Sequence, residues 1–278
     1  MKLFNNDKQI KVAINGFGRI GRAFLKIAWE RKDIEIVAIN DLGSIESLAY
    51  LLRHDTVYRN WGHSVEISGS DLVIDGKTIK FIQEKDTTKL PWKDLSVDVV
   101  VESTGLFTSF DKAHFHIDCG AKKVVISAPS KGAESTVKGE TILLNINEEK
   151  FGTCDITSNA SCTTNAASPI ISIMHESLGI EKAILNTVHG YTASQALVDG
   201  PSKKDLREGR AAAQNIVPSS TGAAIAVTEA FPELKGLFDG ISIRVPVPAG
   251  SIVDITFISK KETTTEEVNE ILKKASKD

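Results

Sequence analysis

Cysteine is scarce in this 278-residue chain: only Cys119, Cys154 and Cys162 occur, too few for a disulfide-built scaffold and in keeping with a reducing compartment. No run of apolar residues is long enough for a membrane-spanning helix. The opening Met1–Asp7 has no apolar core of the kind a secretory leader needs. Charge of one sign is also missing. Lysine and arginine number 33 against 36 acidic residues, a net charge of −3, which excludes a dedicated nucleic-acid or anionic-membrane surface. There is no internal repeat and no low-complexity tract. His114 and His116 stand two apart with no matching cysteine or carboxylate cluster, so no metal site is expected; His54, His63 and His175 read as ordinary. What is present is an apolar fraction of 41% and enough length for two globular domains. A cytoplasmic protein of two domains, divided near Ser158–Ser161, is the expectation.

The first forty residues read as strand, helix, strand. Ile10–Ile14 is β-rich, Arg19–Arg31 carries apolar residues at helical spacing, and Ile34–Ile39 is apolar enough to be covered on both faces, as in a parallel sheet. Asp98–Val101 and Lys123–Ile126 are further buried strands, with a helix over Phe110–Asp118 between them. Ser64–Ile82 alternates around turn residues and predicts antiparallel hairpins. Beyond Cys162 the spacing predicts a helix to about Leu178, stopped by Gly179. Strands follow at about Ile184–His189, Gly240–Pro246 and Ile252–Ser259, with a long polar loop over Thr192–Val217 and a final amphipathic helix over Thr264–Lys277.

Two features carry chemistry. Gly16-Phe17-Gly18-Arg19-Ile20-Gly21 has the spacing of a dinucleotide turn, a weak signal alone. Here it follows a strand and opens a helix, and Asp41 stands 20 residues past Gly21 at the end of the second strand. Glycines admit backbone to a pyrophosphate, the helix N-terminus attracts it, and a carboxylate binds ribose hydroxyls while repelling a 2′-phosphate. The cofactor expected is NAD rather than NADP. The bland alternative is that Asp41 caps the helix over Ser44–Leu52. The second feature is Ser158–Asn165, short polar residues leading into an apolar-periodic run, which puts Cys162 at a helix start. That location favours a thiolate. Cys119 and Cys154 are read as structural.

Asn15–Arg22, Ser158–Asn165, the run His189-Gly190-Tyr191-Thr192-Ala193-Ser194-Gln195, then Ser220-Thr221-Gly222-Ala223-Ala224 and Arg244-Val245-Pro246 occur in an order that resembles the phosphorylating glyceraldehyde-3-phosphate dehydrogenases over essentially the whole chain. The resemblance implies an α/β protein: a Rossmann-type dinucleotide-binding domain over residues 1–160, then an α+β catalytic domain with a mostly antiparallel sheet over 161–278. It implies oxidation of glyceraldehyde 3-phosphate with NAD and inorganic phosphate to 1,3-bisphosphoglycerate, in glycolysis or gluconeogenesis. Cys162 would be the nucleophile and His189 its base. Ser161, Thr163, Thr221 and Gly222 would line the site of the attacking phosphate, with help from Arg207. Thr192 and Arg244 would hold the substrate's own phosphate. Gly16, Gly18, Arg19, Ile20 and Gly21 would meet the cofactor pyrophosphate and Asp41 the adenosine ribose, with further cofactor contacts from Lys85, Thr104 and Ser127. Lys203, Lys204 and Arg210 are read as a solvated loop. The Thr192–Val217 loop resembles a segment that packs subunits into a homotetramer.

Departures from the family pattern are Ala166 where a second cysteine is usual, Ile225 where a lysine is usual, and the lack of the family's C-terminal tail beyond Asp278. A dehydrogenase for another phosphorylated aldehyde, such as erythrose 4-phosphate, stays open as an alternative. So does an inactive, truncated chain serving as a binding or assembly module.

Overall fold

Ile10–Asn15 forms the central strand, β1, of the first of two compact units in this computed structural model, which describes residues 9–130, 135–202 and 205–277. Met1–Asp7, Lys203, Lys204 and Asp278 lie outside the described residues. Helix α1 (Arg19–Trp29) buries Gly21, Leu25 and Ala28, and β2 (Ile34–Asn40) returns parallel to β1. Helix α2 (Ile45–Arg53) starts where the Ser44 hydroxyl accepts a hydrogen bond from Ser47 N–H. It is Ser44, not Asp41, that caps this helix. A two-residue pair, β3 (His54–Asp55) and β4 (Arg59–Asn60), precedes the hairpins β5 (Val65–Ser68), β6 (Asp71–Ile74) and β7 (Lys77–Ile82). The hairpins are antiparallel as their alternation predicts, but β7 also runs parallel beside β2, so they extend the main sheet.

Strand β8 (Val99–Glu102) lies on the other side of β1. The single helix expected over Phe110–Asp118 is instead two turns, α3 (Phe110–Ala113) and α4 (Phe115–Asp118), because at His114 the backbone hydrogen bond tightens to Asp111, three residues back. Strands β9 (Lys123–Ile126), β10 (Gly139–Thr141) and β11 (Ile156–Ser158) complete nine strands in the order β10-β11-β9-β8-β1-β2-β7-β6-β5. The two three-residue strands lack an alternation long enough to read, and no expectation above includes them. Ile14, Leu25, Ile39, Leu52, Leu72 and Ile74 form the centre of the core.

The second unit takes residues 143–148 together with 161–278. Helix α5 (Cys162–Leu178) ends at Gly179, whose φ of +70° stops it. Strand β12 (Ile180–Gly190) is central; β13 (Val217–Ser220) follows the loop, then α6 (Ala223–Ala230), β14 (Phe238–Val245), β15 (Ser251–Ser259) and α7 (Thr265–Ala275). The order is β13-β14-β12-β15, antiparallel except for the parallel β12–β14 pair. Ala167, Ile171, Met174 and Leu178 of α5 pack with Leu185, Val227 and Phe238, and Val268, Ile271 and Leu272 of α7 lie against that cluster. The Thr192–Val217 loop is less polar than its sequence suggested: Leu197, Val198, Leu206 and Ile216 are all exposed.

His63, read as ordinary, is not. Its Nδ1 lies 2.7 Å from Asp75 Oδ2 and its Nε2 2.8 Å from Glu30 Oε1, tying the hairpins to the end of α1. The bond to Asp75 raises the imidazole above its ordinary value of 6.5, with Glu30 adding to it. A group raised in the folded state contributes stability that is fully present below the unfolded pKa and is lost as pH rises through the folded one. Urea unfolding of the native chain and His63→Gln should therefore show the larger difference at about pH 5.5 and a smaller one at about pH 8.5, on either side of the imidazole range. A difference that does not change with pH would remove the clamp from this account.

Candidate active site

The carboxyl ends of β1, β2, β8 and β9 come side by side, the place where open parallel sheets bind ligands. Gly16, just past β1, has φ +94°, and a Cβ there would meet Thr104 N at 2.6 Å. A Cβ at Gly21 would run into the Gly16 carbonyl, whereas one at Gly18 would meet nothing within 4 Å. The outer two glycines are thus required by the protein's own backbone, and the middle one faces open space. Gly18 offers α1 no side-chain cap, so the first N–H groups of the helix keep their donors. This turn fits a dinucleotide's pyrophosphate. Asp41 Oδ2 accepts from Phe17 N–H at 2.6 Å and Oδ1 from Gly43 N–H at 2.8 Å, so the carboxylate sits against the glycine turn with acceptor capacity to spare for ribose hydroxyls.

Other expected cofactor residues fall around this rim. Ile20 is exposed on the first turn of α1. Arg19 leans its guanidinium toward Asp55, 3.7 Å away, and over Tyr58, so any approach to a pyrophosphate at this position is through backbone. Thr104 follows β8, and Ser127 follows β9 with its hydroxyl donating to Glu102 O at 3.0 Å. Lys85 is exposed beyond β7. Sequence reasoning missed Arg22, which straps the turn by donating to Phe17 O at 2.9 Å; burial pulls this guanidinium below its ordinary value.

In the second unit the start of α5 meets the end of β12. Ala160, at φ +54°, turns the chain, and Ser161 Oγ caps α5 by accepting from Thr164 N–H at 3.0 Å. Cys162 is the first helical residue and is exposed; its Sγ lies 3.3 Å from His189 Nε2. His189 Nδ1 lies 2.7 Å from Gly190 O, an acceptor only, so Nδ1 carries the proton and Nε2 presents a lone pair to the thiol. That is the arrangement a base needs to take a proton.

Arg244 is opposite His189 in the parallel β12–β14 register. Its Nη1 reaches toward Gly190 O at 3.5 Å, while its Nε is buried with no hydrogen-bond partner among the described residues. Gln195 Nε2 is in the same condition, and Gln195 Oε1 accepts from Thr192 N–H at 3.3 Å. Unfilled buried donors on Arg244 and Gln195 call for an acceptor-rich ligand. Thr192 Oγ1 pairs with Ser194 Oγ at 3.0 Å. Thr221 and Gly222 precede α6, where Thr221 Oγ1 accepts from Ala223 N–H at 3.2 Å. Thr163 is buried behind the first turn of α5. Arg207 stands apart in its bonding: its guanidinium grips Asp205 at 2.6 Å in the 3-10 turn Leu206–Gly209. Arg210 pairs loosely with Asp199 at 3.3 Å. The other two thiols are structural, as expected: Cys154 is buried, and burial pushes the half-buried Cys119 thiol up. Among the described residues no cluster of histidine, cysteine and carboxylate could hold a metal.

Two family models match this chain. One, described as the NAD binding domain of glyceraldehyde 3-phosphate dehydrogenase, covers residues 10–110; the other, its C-terminal domain, covers 161–278. Glyceraldehyde-3-phosphate dehydrogenase 1 of Kluyveromyces lactis is 50% identical over 268 residues, which span 96% of this chain and 80% of the relative. Glyceraldehyde-3-phosphate dehydrogenase of Neurospora crassa is 48% identical over 269 residues, 96% of this chain and 78% of that protein. Glyceraldehyde-3-phosphate dehydrogenase B of Aspergillus oryzae is 46% identical over 267 residues, with the same two shares.

Brief iodoacetamide treatment at neutral pH should label Cys162 ahead of Cys119 and Cys154, as read by peptide mass spectrometry. His189→Asn, which removes the lone pair facing Sγ, should slow that labelling by about tenfold or more. Equal labelling of all three thiols, or an unchanged rate in the variant, would contradict the pairing.

Proposed function

The chain belongs to the glyceraldehyde-3-phosphate dehydrogenase family, and from that premise we propose that it oxidises the aldehyde of glyceraldehyde 3-phosphate with NAD and inorganic phosphate to give 1,3-bisphosphoglycerate. The observation that carries this reading is the exposed Cys162 thiol lying 3.3 Å from His189 Nε2, with Nδ1 of the same ring held 2.7 Å from the Gly190 carbonyl.

An aldehyde does not release hydride readily until a nucleophile has added to it. Cys162 gives its thiol proton to His189 Nε2, the sulfur attacks the carbonyl carbon as the C=O π bond opens, and the oxygen takes that proton back from His189 to give a hemithioacetal. His189 Nε2 then takes the hydroxyl proton as the C–H bond breaks, leaving a thioester on Cys162. Bound NAD would supply the hydride acceptor. The Gly16–Gly21 turn, Arg19 and Ile20 would hold its pyrophosphate, Asp41 its adenosine ribose, and Lys85, Thr104 and Ser127 would complete the contacts. In the second half an oxygen of inorganic phosphate attacks the thioester, the C–S bond breaks, and Cys162 leaves as thiolate with an acyl phosphate formed. Ser161, Thr163, Thr221 and Gly222 would hold that phosphate. Arg207 would join them only by exchanging Asp205 for the ligand. Thr192 and Arg244, with its unpartnered buried Nε, suit the substrate's own phosphate.

The names of the relatives favour the three-carbon aldehyde over erythrose 4-phosphate, and the intact Cys162–His189 pair argues against a mere assembly module. A homotetramer is the assembly we assign to it. The outer face of the second sheet supports this, since Ile184, Ile241, Ile252 and Ile258 all lie exposed there; the apolar residues of the Thr192–Val217 loop are exposed as well. We place the protein in the cytoplasm, whose reducing conditions suit three unpaired cysteines. The domains we assign are residues 1–160 for NAD and 161–278 for catalysis.

A steady-state assay with glyceraldehyde 3-phosphate, erythrose 4-phosphate and each cofactor, with and without phosphate, tests this. Turnover should require NAD, phosphate and the three-carbon aldehyde; Cys162→Ser should abolish it, and His189→Asn should lower kcat by about 10²–10⁴-fold. Preference for erythrose 4-phosphate would replace the substrate, and full activity of Cys162→Ser would remove the mechanism.

Asp41 generates a separate expectation. Asp41→Ala releases both Phe17 N–H and Gly43 N–H, which weakens either cofactor, but only NADP also gains from the loss of a repelling charge. Calorimetry should show the NADP to NAD affinity ratio rising by about tenfold, a shift of about 1.4 kcal/mol. An unchanged ratio would mean that Asp41 does not face the ribose.

A further inference from the structure

A buried carboxylate lies beneath the dinucleotide turn, and no described lysine or arginine pairs with it. Asn40, Asn15 and Glu102 stand next to one another at the ends of β2, β1 and β8. Glu102 is 2% exposed. Its Oε2 accepts from Asn15 Nδ2 at 2.6 Å and lies 3.1 Å from His116 Nε2; its Oε1 accepts from Thr104 N–H at 2.8 Å and from the Thr104 hydroxyl. Asn40 Nδ2 in turn donates to Asn15 Oδ1 at 2.8 Å. His116 is fully buried, and Trp92 Nε1 donates to its Nδ1 at 2.9 Å. An indole N–H only donates, so Nδ1 is bare and the ring proton is on Nε2, aimed at Glu102. Burial lowers the pKa of this histidine, which keeps the ring neutral. Four neutral donors therefore fill the acceptor sites of the carboxylate. A buried charge without a cation is costly, and its cost rises sharply if one donor is lost.

From Glu102 the contacts run to the cofactor turn. Thr104 and Ser103 form the floor on which Gly16 rests: a Cβ on Gly16 would strike both, and Ser103 Oγ donates to Gly16 O at 2.6 Å. We propose that His116 is a positioning residue for the dinucleotide turn, acting through Glu102 and Thr104 although it touches no ligand itself. The proposal rests on the reading of this turn as the NAD site. Without the Nε2 donor, an acceptor on the buried carboxylate is empty. Glu102 then turns to recover a partner, Thr104 loses its hold, and the floor under Gly16 shifts. Nothing in the first-glycine spacing of the motif announces this dependence, because α4 lies nearly a hundred residues further along the chain.

The test is NAD binding to the full chain by calorimetry, in the native protein and in His116→Leu, His116→Gln and Trp92→Phe. Binding by the native protein tests the cofactor reading by itself: if NAD does not bind there, that reading fails before the variants are measured. Given native binding, His116→Leu should weaken NAD by about tenfold or more. His116→Gln, whose Nε2 can still donate to Glu102, should recover most of the affinity. Trp92→Phe keeps the bulk but frees the ring to adopt the other tautomer, and should weaken NAD several-fold. The rate of Cys162 alkylation without cofactor, which reads the second unit, should stay at the native value in all three. A role in stability alone would lower the melting temperature of His116→Leu and leave the NAD affinity of the folded protein unchanged; that result overturns the proposal. If His116→Leu does not fold, Trp92→Phe decides: native affinity there, or affinity in His116→Gln as poor as in a variant with no donor, also overturns it.

Discussion

Where α1 comes closest to the end of β1, at Gly16 and Gly21, there is no room for a single extra carbon. The Gly21 Cα faces the Gly16 carbonyl so closely that any side chain at position 21 would force the first turn of the helix off the sheet, and a side chain at position 16 would strike Ser103 and Thr104. The first unit depends on this close approach. It seats α1 over the sheet, where Leu25 and Ala28 join the core, and it brings the open first turn of the helix to the carboxyl edge of β1. Asp41, Arg22 and Ser103 then hold the turn from three sides by hydrogen bonds to Phe17 N–H, Phe17 O and Gly16 O. The turn is shaped before any ligand arrives, which spares binding the entropy of ordering it.

The second unit solves a related problem with different parts. A reactive thiol must be exposed yet held in one place. Cys162 gains both by being the first residue of a seventeen-residue helix whose later turns are deep in the core, through Ala167, Ile171, Met174 and Leu178. His189 is the penultimate residue of an eleven-residue strand paired on both sides. Each reacting group thus sits at the end of a rigid element and inherits its precision. Exposure is confined to the tips.

How much of this was legible in the sequence follows from where the signals are local. The β-α-β start, the glycine turn with Asp41, the helix from Cys162 to Leu178 and the hairpins around Asp75-Gly76 are written in runs of adjacent residues, and these are legible. The break at His114 was not, because it arises from a shift in hydrogen bonding within an otherwise helical pattern. Strands β10 and β11 were not, because three residues carry no period and their β character comes from a neighbour already in place. At the site, Cys162 and His189 were found through the spacing of whole motifs. Arg22 was within the quoted run but its side chain's return to Phe17 O had no signal. Arg207 is expected at a phosphate, but Asp205, two residues before it, is near enough in the chain to hold its guanidinium first.

The two histidines that matter show why chemistry is harder to read than fold. His189 and His116 are the same residue type, yet they turn opposite chemistry toward their thiol and carboxylate neighbours. What separates them is the partner of Nδ1. At His189 it is a backbone carbonyl, which can only accept, so Nε2 is left as a base toward sulfur. At His116 it is an indole N–H, which can only donate, so Nε2 is left as a donor toward a carboxylate. Gly190 lies beside its histidine in the chain, and Trp92 lies 24 residues away from His116. The first tautomer is therefore set by the strand that carries the histidine, and the second only by the packing of the finished core. A sequence shows that a histidine is present; the atom opposite its second nitrogen decides whether that histidine takes a proton or gives a hydrogen bond.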